Sequence, residues 1–361
     1  KVDTLQNSVG ENLVFGNKNL LINGSQSVWQ RSTSTASITT TAYHTADRWE
    51  TSMSSLGTWT QSRSTDVPSG QGFGYSLKMD CTTADASPAA GDYLIFAQKM
   101  EGQNLQHLLK GTSSAKKITV SFWVKSNKTG TYIVRILDED NTRQISKSYT
   151  ISSASTWQKV ELTFDGDTTG TLDNDNASSL RIQWWLGTGS TYSSGTLATS
   201  WESVTNANMA VGQVNLADST SNEWYITGVQ LEVGSKATDF EFEPYERVLN
   251  KCRRYFVSYG GDAVYERFGV GYTISQYIGY FISVLPVQMR ETPTYSFSSA
   301  GHFGISTAST VISCTTIVNL HSSKNYMSLQ GNVSTGLASP RAAFLLAQNT
   351  TSARIKIDAE L

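Results

Sequence analysis

The sequence predicts an all-β protein: an antiparallel sandwich, then a second, smaller sandwich-like β domain, with a short segment ahead of both. Three observations carry this. Segments with strict period-two alternation of apolar and polar residues recur along the chain. Gly, Asn, Asp and Ser clusters punctuate them at short intervals. Charged residues are only 16% of 361, while hydrophobic residues reach 39% and aromatic residues 11%. A chain of this length exceeds one ordinary sandwich, because domains cluster near ~100–150 residues.

Residues 1–18 stand apart. Val2, Leu5, Val9, Leu13, Val14 and Phe15 are apolar, but the stretch is too short to bury them alone. It is either a disordered terminus or a segment that packs against other copies or a larger assembly. The start, Lys1-Val2-Asp3, has no apolar signal core, so no secretory peptide is expected.

Residues 19–245 read as the sandwich. Ile118, Val120, Phe122 and Val124 alternate with Thr119, Ser121, Trp123 and Lys125. Tyr132 to Leu137 is apolar on both faces until Asp138-Glu139-Asp140-Asn141 turns the chain. Val160, Leu162 and Phe164 alternate with Lys159, Glu161 and Thr163. Leu180, Ile182, Trp184 and Leu186 alternate with Arg181, Gln183 and Trp185. Leu105, Leu108 and Leu109 after Gly102 have helical spacing. Near the domain's end Trp224 and Ile226 share one parity and Val229, Leu231 and Val233 the other. The phase flips at Thr227-Gly228, which predicts a β-bulge with Gly at the irregular residue. Before it, Gly187 to Asn222 is long and polar. Loops beyond ~12–15 residues are usually functional or disordered.

Residues 246–361 form the second domain. Glu246 to Cys252 is expected to add a helical turn, followed by strands near Tyr255–Tyr259, Tyr277–Val284, Tyr295–Phe297, Val311–Cys314, Ala342–Ala347 and Ala353–Ile357. Seven tyrosines lie between Tyr255 and Tyr295, and Tyr favours interfaces.

A net charge of −2 supplies no footprint for nucleic acid or an anionic membrane. No apolar run approaches the ~18 residues of a spanning helix. Cys81, Cys252 and Cys314 are odd in number and far apart, so they read as free thiols in a reducing compartment. No nucleophile elbow, metal-ligand spacing, phosphate loop or dinucleotide fingerprint appears. His44, His107, His302 and His321 are scattered. The chain is therefore expected to be non-catalytic, although Asp and Glu are plentiful enough for a glycosidase pair about 5–10 Å apart. Asp165, Asp167, Asp173 and Asp175 cluster between strands. They form either a solvated turn or a structural calcium site; no other cofactor is expected.

Asn19-Leu20-Leu21-Ile22-Asn23-Gly24 followed by Ala46-Asp47-Arg48-Trp49 resembles the opening of carbohydrate-binding jelly-roll modules carried by glycoside hydrolases. Residues 117–125 resemble their central strand, and Ser155 to Phe164 a later one. Together with residues 226–234 and Lys251-Cys252-Arg253-Arg254-Tyr255-Phe256, the ordered set resembles fibre and spike proteins of bacteriophages over about residues 1–256. The resemblance implies a jelly-roll sandwich in a virion appendage, commonly homotrimeric. It implies attachment to other virion proteins through the N-terminal segment, contact with host-surface glycan, assembly in the host cytoplasm and display on the particle surface. Related modules often hold calcium. A purely structural decoration protein and a glycan depolymerase are the competing readings.

Sugar rings stack on exposed flat aromatics, with planar polar groups nearby for the hydroxyls. Alternation places Trp185 opposite Trp184, beside Arg181 and Gln183, and Trp123 opposite Phe122. Tyr192 and Trp201 sit in the long polar stretch. Trp185, Tyr192, Trp201, Trp123, Arg181 and Gln183 are the candidate glycan contacts, with the tyrosines of the second domain, residues 246–361, as the other choice. The alternative for each aromatic is packing between subunits or under the long loop.

Overall fold

The computed structural model describes residues 18–308 and 310–361. The expected anchoring segment 1–18 lies outside the described residues except for Lys18. The chain divides into two units, residues 18–245 with Leu361, and Glu246–Glu360.

The first unit is a sandwich of two six-stranded sheets in which every strand pair is antiparallel. One sheet runs, in spatial order, Ser34–Ile38, Thr58–Ser64, Ser76–Thr83, Glu223–Val233, Ile118–Ser126 and Gln158–Phe164. The other runs Glu202–Ser203, Arg143–Ile151, Gly130–Asp138, Ser178–Thr188, Tyr93–Glu101 and Glu50–Ser54. Alternation turns Val120, Phe122 and Val124 from one sheet and Val134, Ile136, Ile182 and Trp184 from the other into one core, all without solvent exposure. Aromatic rings fill its centre. Trp49 stacks on Phe96 at 4.8 Å between centroids, and Phe122 meets Trp184 edge-on at 5.5 Å.

The bulge expected at Thr227-Gly228 is present. The register of Glu223–Val233 against Ile118–Ser126 slips between Thr227 and Gln230. Gly228 has φ +62°, and a β-carbon there would lie 2.5 Å from the Phe73 ring. The bulge lets Trp224, Ile226, Val229 and Leu231 all reach the same core despite their opposite parities.

The helix expected around Leu105 is corrected. Two 3₁₀ turns, Gly102–Asn104 and Gln106–Leu108, bury Leu105 and Leu108. Leu109 then turns left-handed, with φ +52°, and is exposed. These two short turns satisfy the apolar spacing, so no longer helix is needed.

The second unit contains a three-stranded sheet (Phe256–Tyr259, Ile355–Asp358, Thr294–Phe297) and a seven-stranded sheet (Thr310–Ser313, Phe303–Thr307, Arg341–Ala347, Arg267–Thr273, Ile278–Val284, Tyr326–Asn332, Thr316–Ser322), both antiparallel. Phe268, Phe281, Phe303, Ile305, Leu329 and Leu345 form its core. The seven-stranded sheet's other face leaves Val270, Tyr272, Ile282 and Val284 exposed. The α-helix Tyr245–Arg253 precedes this unit's first strand and extends the single turn expected there. Among the described residues no helix is long and apolar enough to cross a membrane, and Cys81, Cys252 and Cys314 are buried and joined by no disulfide.

Candidate functional site

Directly paired residues of antiparallel strands share a face, so register alone composes the outer face of the second sheet. One row is Glu50, Ala97, Gln183, Arg135 and Ser146. The next is Lys99, Arg181, Leu137 and Gln144. On the other side lie Ser52, Ile95 and Trp185.

The long polar stretch folds over part of this face. Its 3₁₀ turns Ser190–Tyr192 and Asn206–Asn208 are tied together by Ala210 N donating to Tyr192 O at 2.8 Å and Gly195 N donating to Ala207 O at 2.9 Å. Its middle is fastened to the sheet by Ser146 N donating to Ala198 O at 2.7 Å and Val204 N donating to Thr142 O at 2.9 Å. Met209 and Ala210 then bury Ile95, Ala97, Ile133 and Trp185 in a small second core, with Tyr93 and Tyr192 at its margin. This is why Tyr132–Leu137 is apolar on both faces: Ile133 packs under the loop while Val134 packs in the sandwich.

Where the cover stops, a cleft of about 430 Å³ opens. Tyr93, Tyr192 and Trp185 line one side, and Arg135, Arg181 and Gln183 its floor, with Glu139 and Thr142 at the rim. Tyr192 lies 5.6 Å from Trp185 and 5.5 Å, edge-on, from Tyr93. Glu50 pairs with Arg181 and reaches Lys99 at 3.5 Å. Arg135, only 3% exposed, donates from Nη1 to Gln183 Oε1 at 3.0 Å, and its Nε is buried without a partner. Burial, reinforced by the charge of Arg181 and opposed by Glu139, pulls the Arg135 pKa down to about 9. Asp138 also borders the cleft, but its carboxylate is buried against Lys110 and Asn141.

Of the six candidates chosen from sequence, the structure brings Trp185, Tyr192, Arg181 and Gln183 together in the cleft. An exposed Trp185 is corrected: it is 1% exposed, because the chain's own loop covers it. Trp201 packs against the sandwich core and donates from Nε1 to Asp165 O at 2.7 Å, away from the cleft lining. Trp123 is half-buried on the other sheet. Neither belongs to this site. Arg135, Glu50 and Tyr93 were missed. Arg135 carried a signal, being the one charged residue inside an apolar strand.

The aspartate cluster does not converge. Asp165 pairs with Lys117 at 2.7 Å, and Asp167 with Arg143 at 2.6 Å and Lys110 at 3.1 Å. Asp173 and Asp175 are exposed. Among the described residues no three His, Cys, Asp or Glu side chains are placed to hold a metal ion.

No family model matches the chain, nor does any curated protein sequence. Among solved structures it is similar to the enzymatically active domain of tailspike protein 4 of bacteriophage CBA120, at 16% identity and TM-score 0.32 over 60% of this chain and 22% of that one. It is similar to TmCBM61, solved with β-1,4-galactotriose, at 12% identity and TM-score 0.32 over 60% of this chain and 100% of that one. It is also similar to the family 11 carbohydrate-binding module from Clostridium thermocellum, solved with a mixed-linked tetrasaccharide, at 12% identity and TM-score 0.28 over 53% and 91%. The match spans less than a quarter of the tailspike domain. Likeness at this level assigns this chain no ligand, partner or activity.

Proposed function

We propose that the first unit is a saccharide-binding module whose ligand occupies the cleft on the outer face of the second sheet. One observation carries this reading: tyrosine rings and a floor of guanidinium and amide groups converge on a single open cleft of about 430 Å³. Rings offer apolar faces to the C–H face of a sugar, and planar donors and acceptors suit its hydroxyls. Tyr192, on the loop, supplies the accessible ring in place of Trp185. The finer reading is a non-catalytic, homotrimeric virion appendage that presents this module to host-surface glycan. It rests on the ordered motifs at residues 19–24, 46–49, 226–234 and 251–256. Repeated copies on one particle convert weak sites into firm attachment, and labelling of intact particles with antibody against the chain tests that placement.

Glycan-array screening followed by calorimetry tests the module itself. The native chain is expected to bind a defined set of glycans. Tyr192→Ala should lower the affinity roughly fivefold or more, the equivalent of about 1 kcal/mol. Arg181→Lys, which keeps a cation beside Glu50, should weaken binding further while the melting temperature stays within a few degrees. A chain that binds no glycan on the array refutes the module.

A further inference from the structure

We propose that the cleft selects an acidic saccharide, and that Arg135 receives the sugar's carboxylate. The inference rests on the reading of the cleft as a saccharide site and names the class of ligand. The two arginines of the floor differ in their partners. Arg181 is answered by Glu50, which also reaches Lys99. Arg135 is more deeply buried, and its only hydrogen bond among the described residues goes from Nη1 to the neutral amide oxygen of Gln183. Its Nε is buried without a partner, as is that of Arg181, so the difference between the two is the missing carboxylate, and the Arg135 side chain lines the cleft.

A buried guanidinium without an anion is costly, and structures normally pair such a group. The cationic neighbour Arg181 adds to that cost. Glu139 and Asp138 do not relieve it by contact: Glu139 acts only through space, and Asp138 is engaged by Lys110. A guanidinium carries parallel N–H groups whose spacing matches the two oxygens of a carboxylate. With one cation left unanswered, the complement is one singly charged group per binding register, as in a uronic acid, rather than a polyphosphate. Ser52 and Thr142 line the same cleft and are suited to the remaining hydroxyls.

The test uses the full chain and a panel of uronate oligosaccharides (galacturonate, glucuronate and mannuronate series), with their carboxyl-reduced counterparts and sulfated neutral oligosaccharides. Binding is read by calorimetry and by tryptophan fluorescence, since Trp185 and Tyr192 border the site. At least one uronate series is expected to bind roughly tenfold or more tightly than its reduced counterpart, the scale of a charge-assisted pair. Arg135→Met, an apolar side chain of similar length, should abolish that preference while retaining binding of the reduced sugar. Arg135→Lys should keep part of it. Thermal melts check that both variants fold; if Met does not, Lys carries the comparison, and an undiminished preference in Lys overturns the assignment. Equal or tighter binding of the reduced sugars overturns the carboxylate assignment while leaving the module intact. So does binding of sulfated sugars alone, or a preference that survives in both variants. Absence of binding to every sugar overturns the module and this assignment together.

Discussion

Trp184 and Trp185 are neighbours on one strand, face opposite sides of the sheet, and are both sealed from water. Trp184 is sealed inside the sandwich, by Phe122 of the facing sheet together with Phe96 of its own sheet and Trp49. Trp185 is sealed by the loop, through Met209, Ala210 and Tyr192. Truncation should therefore be costly at either position. Trp184→Ala and Trp185→Ala are each expected to destabilise the unit by ~3–5 kcal/mol, as large core deletions do. Trp185→Ala should fall at the lower end, since a loop relaxes around a cavity more readily than a sheet does. Urea unfolding read by far-UV circular dichroism measures both. If Trp185→Ala leaves the midpoint unchanged, the loop is not a packed cover. Alternation in the sequence was enough to place the two rings on opposite faces. It held no information on the loop, because the residues that cover Trp185 lie more than five positions away and carry no period.

At the scale of elements, a buried ionic network ties strand ends to turns. Lys110 bridges Asp138 and Asp167 at 2.5 and 3.1 Å, and Arg143 grips Asp167 at 2.6 Å. Burial pushes the Asp167 carboxyl up, but hydrogen bonds from Arg143, the Thr169 amide and Lys110 outweigh it and hold its pKa below the ordinary value of 3.8. A group whose folded pKa is depressed contributes stability above its unfolded pKa and loses it as the pH falls through the folded one. The contribution of Asp167 is thus complete near neutrality and is lost progressively as the pH falls below about 4. Asp167→Asn should lower the melting temperature at pH 7 by several degrees, with the gap to the native chain closing toward pH 3. A gap that stays constant with pH assigns the loss to packing rather than charge. In the sequence this aspartate was one of four in a polar stretch. The partners that distinguish it, Lys110 and Arg143, lie far from it along the chain, so a calcium turn and an ion-paired anchor looked alike.

At the scale of the whole molecule, one apolar surface of the described residues stands open to solvent. The seven-stranded sheet exposes Val270, Tyr272, Ile282 and Val284, with Val284 at 77%. Residues 1–18 carry six apolar side chains in a stretch too short for its own core. Closed cyclic association buries such surface, and the proposed homotrimer is expected to appear as about three chains by light scattering on full-length protein. A monomer at micromolar concentration refutes it.

Period-two alternation, the Gly228 phase flip and the ordered aromatic strands determined the all-β class, the sandwich and the bulge without reference to any structure. These features are local: a strand's two faces and a glycine's positive φ are written in consecutive residues. The cleft was decided only by tertiary structure. Arg135, Arg181, Gln183 and Glu50 come from three strands and meet through cross-strand register, while Tyr192 arrives on a loop whose path is set by hydrogen bonds to Ser146 and Thr142. Register and loop docking depend on contacts between residues distant in sequence, and no periodicity encodes which charge will be left unanswered when the sheet closes.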